Sequence, residues 1–192
     1  MTATPKATRR NCQNGTLRQA THHHGAARLR AAPRFPANVY VDAVPLEIPS
    51  QTPCSFCENF AGRDPWHGRP AVVHEDDFTY VIIAPASLGG MPGHTLVIPR
   101  RHVETILDLT KQETVDLASM VRRAARAIDA AMDPDGILIV QRNGVTAGQT
   151  VPHVHFHVIP RREGTVWPPT EWVENTPSEV RVAQASLIRP HF

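Results

Sequence analysis

Gln149-Thr150-Val151-Pro152-His153-Val154-His155-Phe156-His157-Val158-Ile159-Pro160 decides how the rest of the chain is read. Three histidines alternate with apolar residues. Side chains on a β-strand point alternately to opposite faces. The alternation therefore predicts His153, His155 and His157 on one face and Val154, Phe156 and Val158 on the other. Neighbours along one face lie about 6.5–7 Å apart, a spacing at which a row of imidazoles can hold a phosphate, a metal or both. Ahead of the histidines runs Asn143-Gly144-Val145-Thr146-Ala147-Gly148-Gln149-Thr150, a polar loop with several neutral hydrogen-bond donors. A donor-rich loop feeding a histidine-bearing strand suits substitution at phosphorus.

Reading outward, Ile137-Leu138-Ile139-Val140-Gln141 is an apolar strand entering that loop, and the histidine strand is expected to return antiparallel beside it. Thr110-Lys111-Gln112-Glu113 is a capping box that opens the clearest helix. Val115, Ala118, Val121, Ala125, Ile128 and Met132 recur at helical spacing as its apolar stripe, and Asp133-Pro134-Asp135-Gly136 breaks it. Thr95-Leu96-Val97-Ile98 is almost continuously apolar, the pattern of a central strand covered on both faces. Residues 71–77 and 78–83 read as a hairpin, 59–70 as a loop, and 84–92 as a Gly/Pro-rich connection. Thr176-Pro177-Ser178-Glu179 reads as a second capping box, with a short helix to about Ile188. The elements sum to an α+β domain, a mostly antiparallel sheet with a long helix on one face.

Residues 1–50 are different in kind. They show no sustained periodicity, and carry seven Lys/Arg against Asp42 and Glu47. They read as a flexible basic N-terminal extension and 51–192 as the folded domain. The whole chain has a formal net charge of +2, which argues neither for nor against polyanionic partners, and nucleic acid is not expected. No apolar run approaches the roughly 18 residues that span a bilayer, and no secretory apolar segment follows Met1. Three cysteines are an odd number, not a secreted disulfide framework, so a reducing cytosol is the expected compartment. Cys54-Ser55-Phe56-Cys57 has the spacing of half a tetrahedral zinc site. The alternative is that the pair packs as reduced, metal-free cysteines.

The histidine stretch resembles the signature of the histidine-triad (HIT) superfamily of nucleotide hydrolases and transferases, His-φ-His-φ-His-φ-φ with φ apolar. His153 to Ile159 match it at every position. A second matching block is Gly93-His94-Thr95-Leu96-Val97-Ile98-Pro99, followed by Arg100-Arg101-His102, and the resemblance covers about 54–167. It implies a five-stranded, mostly antiparallel sheet with one long helix and a short C-terminal helix, and a homodimer. It implies His155 as nucleophile, His157 as donor to phosphate or leaving group, and Asn143, Gly148, Gln149 and Thr150 as the substrate-binding loop. Some bacterial members hold zinc through a set that corresponds to Cys54, Cys57, His102 and His153. His94 could support the triad from behind. Many members also place an Asp after the second strand to hold ribose hydroxyls, whereas no acidic residue occurs here between Asp77 and Glu104. The implied activity is attack on a phosphoester, phosphoramidate or anhydride through a phospho-histidine. A non-catalytic nucleotide-binding or sensor protein on the same scaffold is the competing reading. The catalytic reading requires His155 to project into an open pocket beside His157.

Overall fold

In the computed structural model, residues 45–63, 71–88, 91–165, 172–173 and 176–192 are described. The chain divides into Met1–Ala43 and Val44–Phe192, and all described residues lie in the second unit. Cys12, the His22-His23-His24 run, Trp66, His67 and Trp167-Pro168-Pro169 fall outside them.

A short helix α1 (Ser55–Phe60) precedes the hairpin β1 (Val72–Glu75) and β2 (Thr79–Ile83). β3 (Ser87–Leu88), β4 (Thr95–Pro99), the long helix α2 (Lys111–Met132), β5 (Gly136–Gln141) and β6 (Phe156–Arg161) follow. β7 (Trp172–Val173) and helix α3 (Ser178–Ile188) complete the order. The main sheet runs β1-β2-β4-β6-β5 with every neighbour antiparallel, and β3 pairs with β7 in a small second sheet. The hairpin, the central position of β4 and the β5–β6 pairing are as the residue pattern predicts.

The pleat divides the core in two. Val73, Val81, Ile83, Val97 and Val158 face α2 and α3, where Leu117, Met120, Val121, Ala124, Ala127, Ile128, Ala185 and Ile188 cover them. Tyr80, Ile82, Leu96 and Ile98 face the other way, onto Cys54 and Phe56 at α1. Burying one Val, Leu or Ile side chain contributes about 1.5–3 kcal/mol, so both layers are needed. Leu96 lies opposite His157 in the β4–β6 register, which puts the histidines on the α1 side.

Some local expectations hold and others change. The capping box at Thr110 forms in full: Thr110 Oγ1 accepts the Glu113 amide at 3.2 Å and Glu113 Oε2 accepts the Thr110 amide at 2.8 Å. The stripe it opens, however, is rotated. Leu117, Met120, Val121, Ala124, Ala127 and Ile128 are buried, while Val115 is 54% exposed and Ala118 is exposed too. Small alanines at 124 and 127 let the helix lie close to the sheet, and that contact sets the face. The second capping box does not form. Pro177 occupies the N-cap of α3 without a side-chain cap, and the Thr176 amide donates to Pro85 O at 2.9 Å.

The histidine stretch is only partly strand. β6 begins at Phe156, so His157 alone of the three lies within it. Continuing the β4–β6 register would pair Val154 with Pro99. Proline has no N–H to extend the ladder, and the Val154 amide turns instead to Val103 O at 2.6 Å. His153 and His155 therefore sit on an extended approach to the strand. Finally, residues 45–50 behave unlike an extension: Glu47 O accepts the Val145 amide at 2.8 Å, which ties them to the loop before the triad. No helix among the described residues is long and apolar enough to cross a membrane.

Candidate active site and metal centre

Cys54 caps α1 and Cys57 lies in its first turn. His102 follows the Pro99-Arg100-Arg101 turn, which is braced on both sides. Arg101 makes a bidentate pair with Glu113, one arm at 2.9 Å, and Arg100 pairs with Glu75 at 2.9 Å and stacks over Phe60 at 4.3 Å. These arginines are thus structural braces of the His102 turn. The ligand atoms of Cys54, Cys57, His102 and His153 all lie within 4.8 Å of one another. Sγ of Cys54 and Cys57 stand 3.6 and 3.7 Å from His153 Nδ1, and Cys57 Sγ stands 3.4 Å from His102 Nδ1. Tetrahedral zinc, with bonds of about 2.3 Å to sulfur and 2.0–2.1 Å to nitrogen, sets sulfur and nitrogen about 3.6 Å apart. These three separations match edges of a zinc-sized tetrahedron, and the four residues could hold such an ion.

The second nitrogen of His153 settles its tautomer. Nε2 lies 3.0 Å from Pro99 O. A carbonyl can only accept, so Nε2 carries the hydrogen and Nδ1 offers its lone pair to the metal corner. Burial keeps His153 neutral, with its pKa lowered to about 4. Burial, followed by the neighbouring Cys54, pushes the Cys57 thiol up to about 11. A cation between the two sulfurs reverses that balance and holds thiolates.

Two residues on, the logic inverts. His155 Nδ1 lies 2.7 Å from His153 O. Here Nδ1 must carry the hydrogen, and Nε2 is left with a free lone pair. The His157 ring stands beside it at 4.8 Å, tilted by 67°. Behind His157, His94 Nε2 meets His157 Nδ1 at 2.9 Å. Burial, above all, lowers His157 to about 2 and His94 to about 3, so both rings are neutral and one donates to the other. Burial also lowers His155; its bond to the His153 carbonyl opposes this and the Arg142 charge adds to it. Phe56, from between the two cysteines, packs edge-on against His155 at 5.0 Å and His153 at 5.8 Å. The open pocket expected at His155 is not what the described residues show: His155 and His157 are buried, exposing 6% each. An aromatic arriving from α1 was not foreseeable from the triad's alternation.

The loop donors divide. Gln149 is buried, and its amide group is fully engaged: Nε2 donates to Glu104 O at 2.7 Å and Val151 O at 2.9 Å, while Oε1 accepts the Gly144 amide at 2.7 Å. Asn143 exchanges hydrogen bonds with Gln141 at 2.6 and 3.0 Å, and its Oδ1 also accepts the Ile106 amide at 2.9 Å. The Gly148 amide closes the 3-10 turn on Val145 O at 2.8 Å, at a φ of +81° that favours glycine. Gln149, Asn143 and Gly148 thus shape the loop through these bonds. Thr150 is exposed, with no side-chain hydrogen bond among the described residues. Arg142, by contrast, went unread in the sequence although its charge acts on His94, His155 and His157. The β5–β6 register, counted one step past Gln141, would have found it.

Comparison with known proteins agrees with this geometry. The HIT domain family model matches residues 70–164. Protein hit of Bacillus subtilis is 35% identical over 119 residues, 59% of this chain and 78% of that protein. An asymmetrical bis(5'-nucleosyl)-tetraphosphatase of Schizosaccharomyces pombe is 47% identical over 73 residues, which are 38% of this chain but only 40% of that protein. The crystal structure of a Zn-bound histidine triad family protein from Mycobacterium smegmatis superimposes with a TM-score of 0.60 at 30% identity, covering 72% of this chain and 92% of that one. With the triad, the His94 block and the sheet order in their places, the chain belongs to the HIT domain family.

Proposed function

We propose that this chain is a nucleotide hydrolase or nucleotidyltransferase with His155 Nε2 as its nucleophile. The single observation behind this is the 2.7 Å contact of His155 Nδ1 with the His153 carbonyl, which leaves Nε2 bare beside a second neutral imidazole. The Nε2 lone pair forms an N–P bond as the bond from phosphorus to the leaving group breaks, and the leaving group departs with that electron pair and takes a proton. Water or another acceptor then forms a new bond to phosphorus, and the N–P bond breaks. Two displacements replace one difficult step. His94 donates to His157 Nδ1, so that His157 Nε2–H points a hydrogen at a phosphate oxygen, where a preorganised donor contributes a few kcal/mol in the transition state. The Thr150 hydroxyl is a second donor. Relatedness to a bis(5'-nucleosyl)-tetraphosphatase supports a nucleotide substrate.

Cys54, Cys57, His102 and His153 would hold a zinc ion. Four protein ligands leave no open position, so the ion's contribution is to fix the His153 ring and the chain leading to His155. A homodimer fits the surface. β5 is an edge strand with Ile139 48% exposed, and Val115 of α2 stands exposed, so a second copy would cover apolar groups that the monomer leaves in water.

The test is quench trapping with an isotopically labelled nucleotide substrate, followed by peptide mapping. Label is expected on the peptide carrying His155 in the parent protein and absent in His155→Gly. Turnover by the parent enzyme with no label on that peptide, at any quench time, would reject the nucleophile.

A further inference from the structure

Helix α3 lies beyond residues 70–164, which the HIT domain family model matches, and through Ala185 and Ile188 it covers the sheet face opposite the triad. One of its side chains nevertheless reaches the turn that delivers His94. The Gly93 amide donates to Gln184 Oε1 at 2.9 Å, a contact between residues 91 positions apart. An amide N–H can only donate, so Gln184 presents its oxygen there and not its NH2 group.

Both polar groups of the Gly93 main chain are taken by side chains. Gln184 accepts from the amide, and Thr95 Oγ1 donates to Gly93 O at 2.9 Å. The φ of Gly93 is +80°, a conformation that favours glycine. A Cβ there would overlap Met132 Sδ at the end of α2 and would stand 3.4 Å from Pro160. The turn is thus held from the helical layer, by α2 and α3. At His94 the sheet takes over, with the Ala84 amide donating to His94 O at 2.8 Å. The His94 ring then meets His157 Nδ1 at 2.9 Å. Gln184 and His157 lie in different layers of the molecule, and Gly93-His94 joins them.

We infer that Gln184 is a positioning residue: its side-chain oxygen fixes the Gly93 turn and, through it, the His94 ring that orients His157. The effect on turnover rests on the hydrolase reading; the effect on the rings does not. A part-buried amide that loses its acceptor turns to another partner, and the main chain that sends His94 into the site moves with it. A misplacement of about 1 Å can cost about 100-fold in rate, so a turn loosened by a fraction of that is expected to show in kcat.

The experiment removes the acceptor at nearly constant side-chain length. Gln184→Met is compared in the full chain with Gln184→Glu, which keeps an acceptor oxygen. Hydrogen exchange of the His94 Nε2–H, followed in ¹H–¹⁵N spectra, is expected to speed up at least tenfold in Gln184→Met and to stay within about threefold of the parent in Gln184→Glu. The kinetic probe is whichever of diadenosine triphosphate and adenosine 5'-phosphoramidate the parent turns over. On it kcat is expected to fall about fivefold in Gln184→Met, with KM within about twofold, and to recover in Gln184→Glu. Gln184→Ala supplies the acceptor-free case should Gln184→Met not fold. Parent-like exchange at His94, or parent-like kcat, in folded acceptor-free protein would overturn the proposal and leave Gln184 a tie of α3 alone. Equal losses in Gln184→Glu and Gln184→Met would overturn it too. If exchange responds as expected but the parent turns over neither probe and His155 takes no label, the link from Gln184 to the rings stands and the hydrolase reading fails.

Discussion

His153 and His155 are the same residue type, two positions apart, and both sit on the approach to β6. Each gives one ring nitrogen to a backbone carbonyl, but not the same one. His153 donates from Nε2 to Pro99 O and turns Nδ1 to the sulfurs. His155 donates from Nδ1 to His153 O and keeps Nε2 bare. A carbonyl that can only accept is enough to assign one imidazole to a metal and the next to chemistry. The difference lies in which main-chain oxygen each ring finds, and the proline that stops the β4 ladder helps provide it.

The largest expected effect separates the two directly. His155→Ala should cut kcat by about 10⁴-fold or more, about 5.5 kcal/mol of barrier, with little change in Tm. Turnover within about tenfold of the parent, roughly 1.4 kcal/mol, would break the comparison at the catalytic end. Metal removal, or His153→Ala, should do the reverse. A chelator-stripped protein is expected to lose about 2 kcal/mol, a Tm lower by roughly 4–8 °C, yet still to take label on His155 when assayed before it unfolds. Complete loss of labelling in folded, metal-free protein would place the ion in the chemistry and remove the division of labour.

A smaller effect sharpens the catalytic side. His94→Phe leaves the buried His157 Nδ1 without its partner, which should destabilise the fold by about 1–3 kcal/mol and lower kcat about tenfold by freeing the ring that presents a donor. The same pair predicts a pH dependence of stability. Both folded pKa values lie below the ordinary 6.5, at about 3 for His94 and about 2 for His157. The unfolded chain therefore binds more protons than the native one below pH 6.5. The pair's contribution is complete above about pH 6.5 and declines as pH falls toward the folded values, by up to about 1.4 kcal/mol per pH unit for each ring. Urea midpoints between pH 7 and 5 should fall in the parent and fall less in His94→Phe. Equal slopes would contradict buried, neutral rings.

Much of the fold is legible because its strands are bounded by Pro, Gly and Asp, and β4 is apolar from Leu96 to Pro99. The triad's common face and the Cys-x2-Cys half-site are likewise local signals. What is hidden depends on partners far along the chain. Gln149 looks like a free donor until Glu104, 45 residues earlier, takes its amide hydrogen. Val115 and Ala118 fit a helical period as well as the residues that are buried, because periodicity gives a stripe but not which of two adjacent stripes the sheet will meet. Arg142 acts on the triad only because β5 and β6 pair, and Phe56 only because α1 folds onto it. Tautomers are the extreme case, since no residue pattern says which carbonyl a ring will reach.

That assignment is open to direct measurement. In long-range ¹H–¹⁵N correlation spectra of the native protein near neutral pH, the account predicts His155 with its hydrogen on Nδ1 and a bare Nε2. It predicts the hydrogen on Nε2 for His153, with metal-shifted Nδ1 once zinc is added. A native His155 with its hydrogen on Nε2, or a doubly protonated imidazolium there, would contradict it.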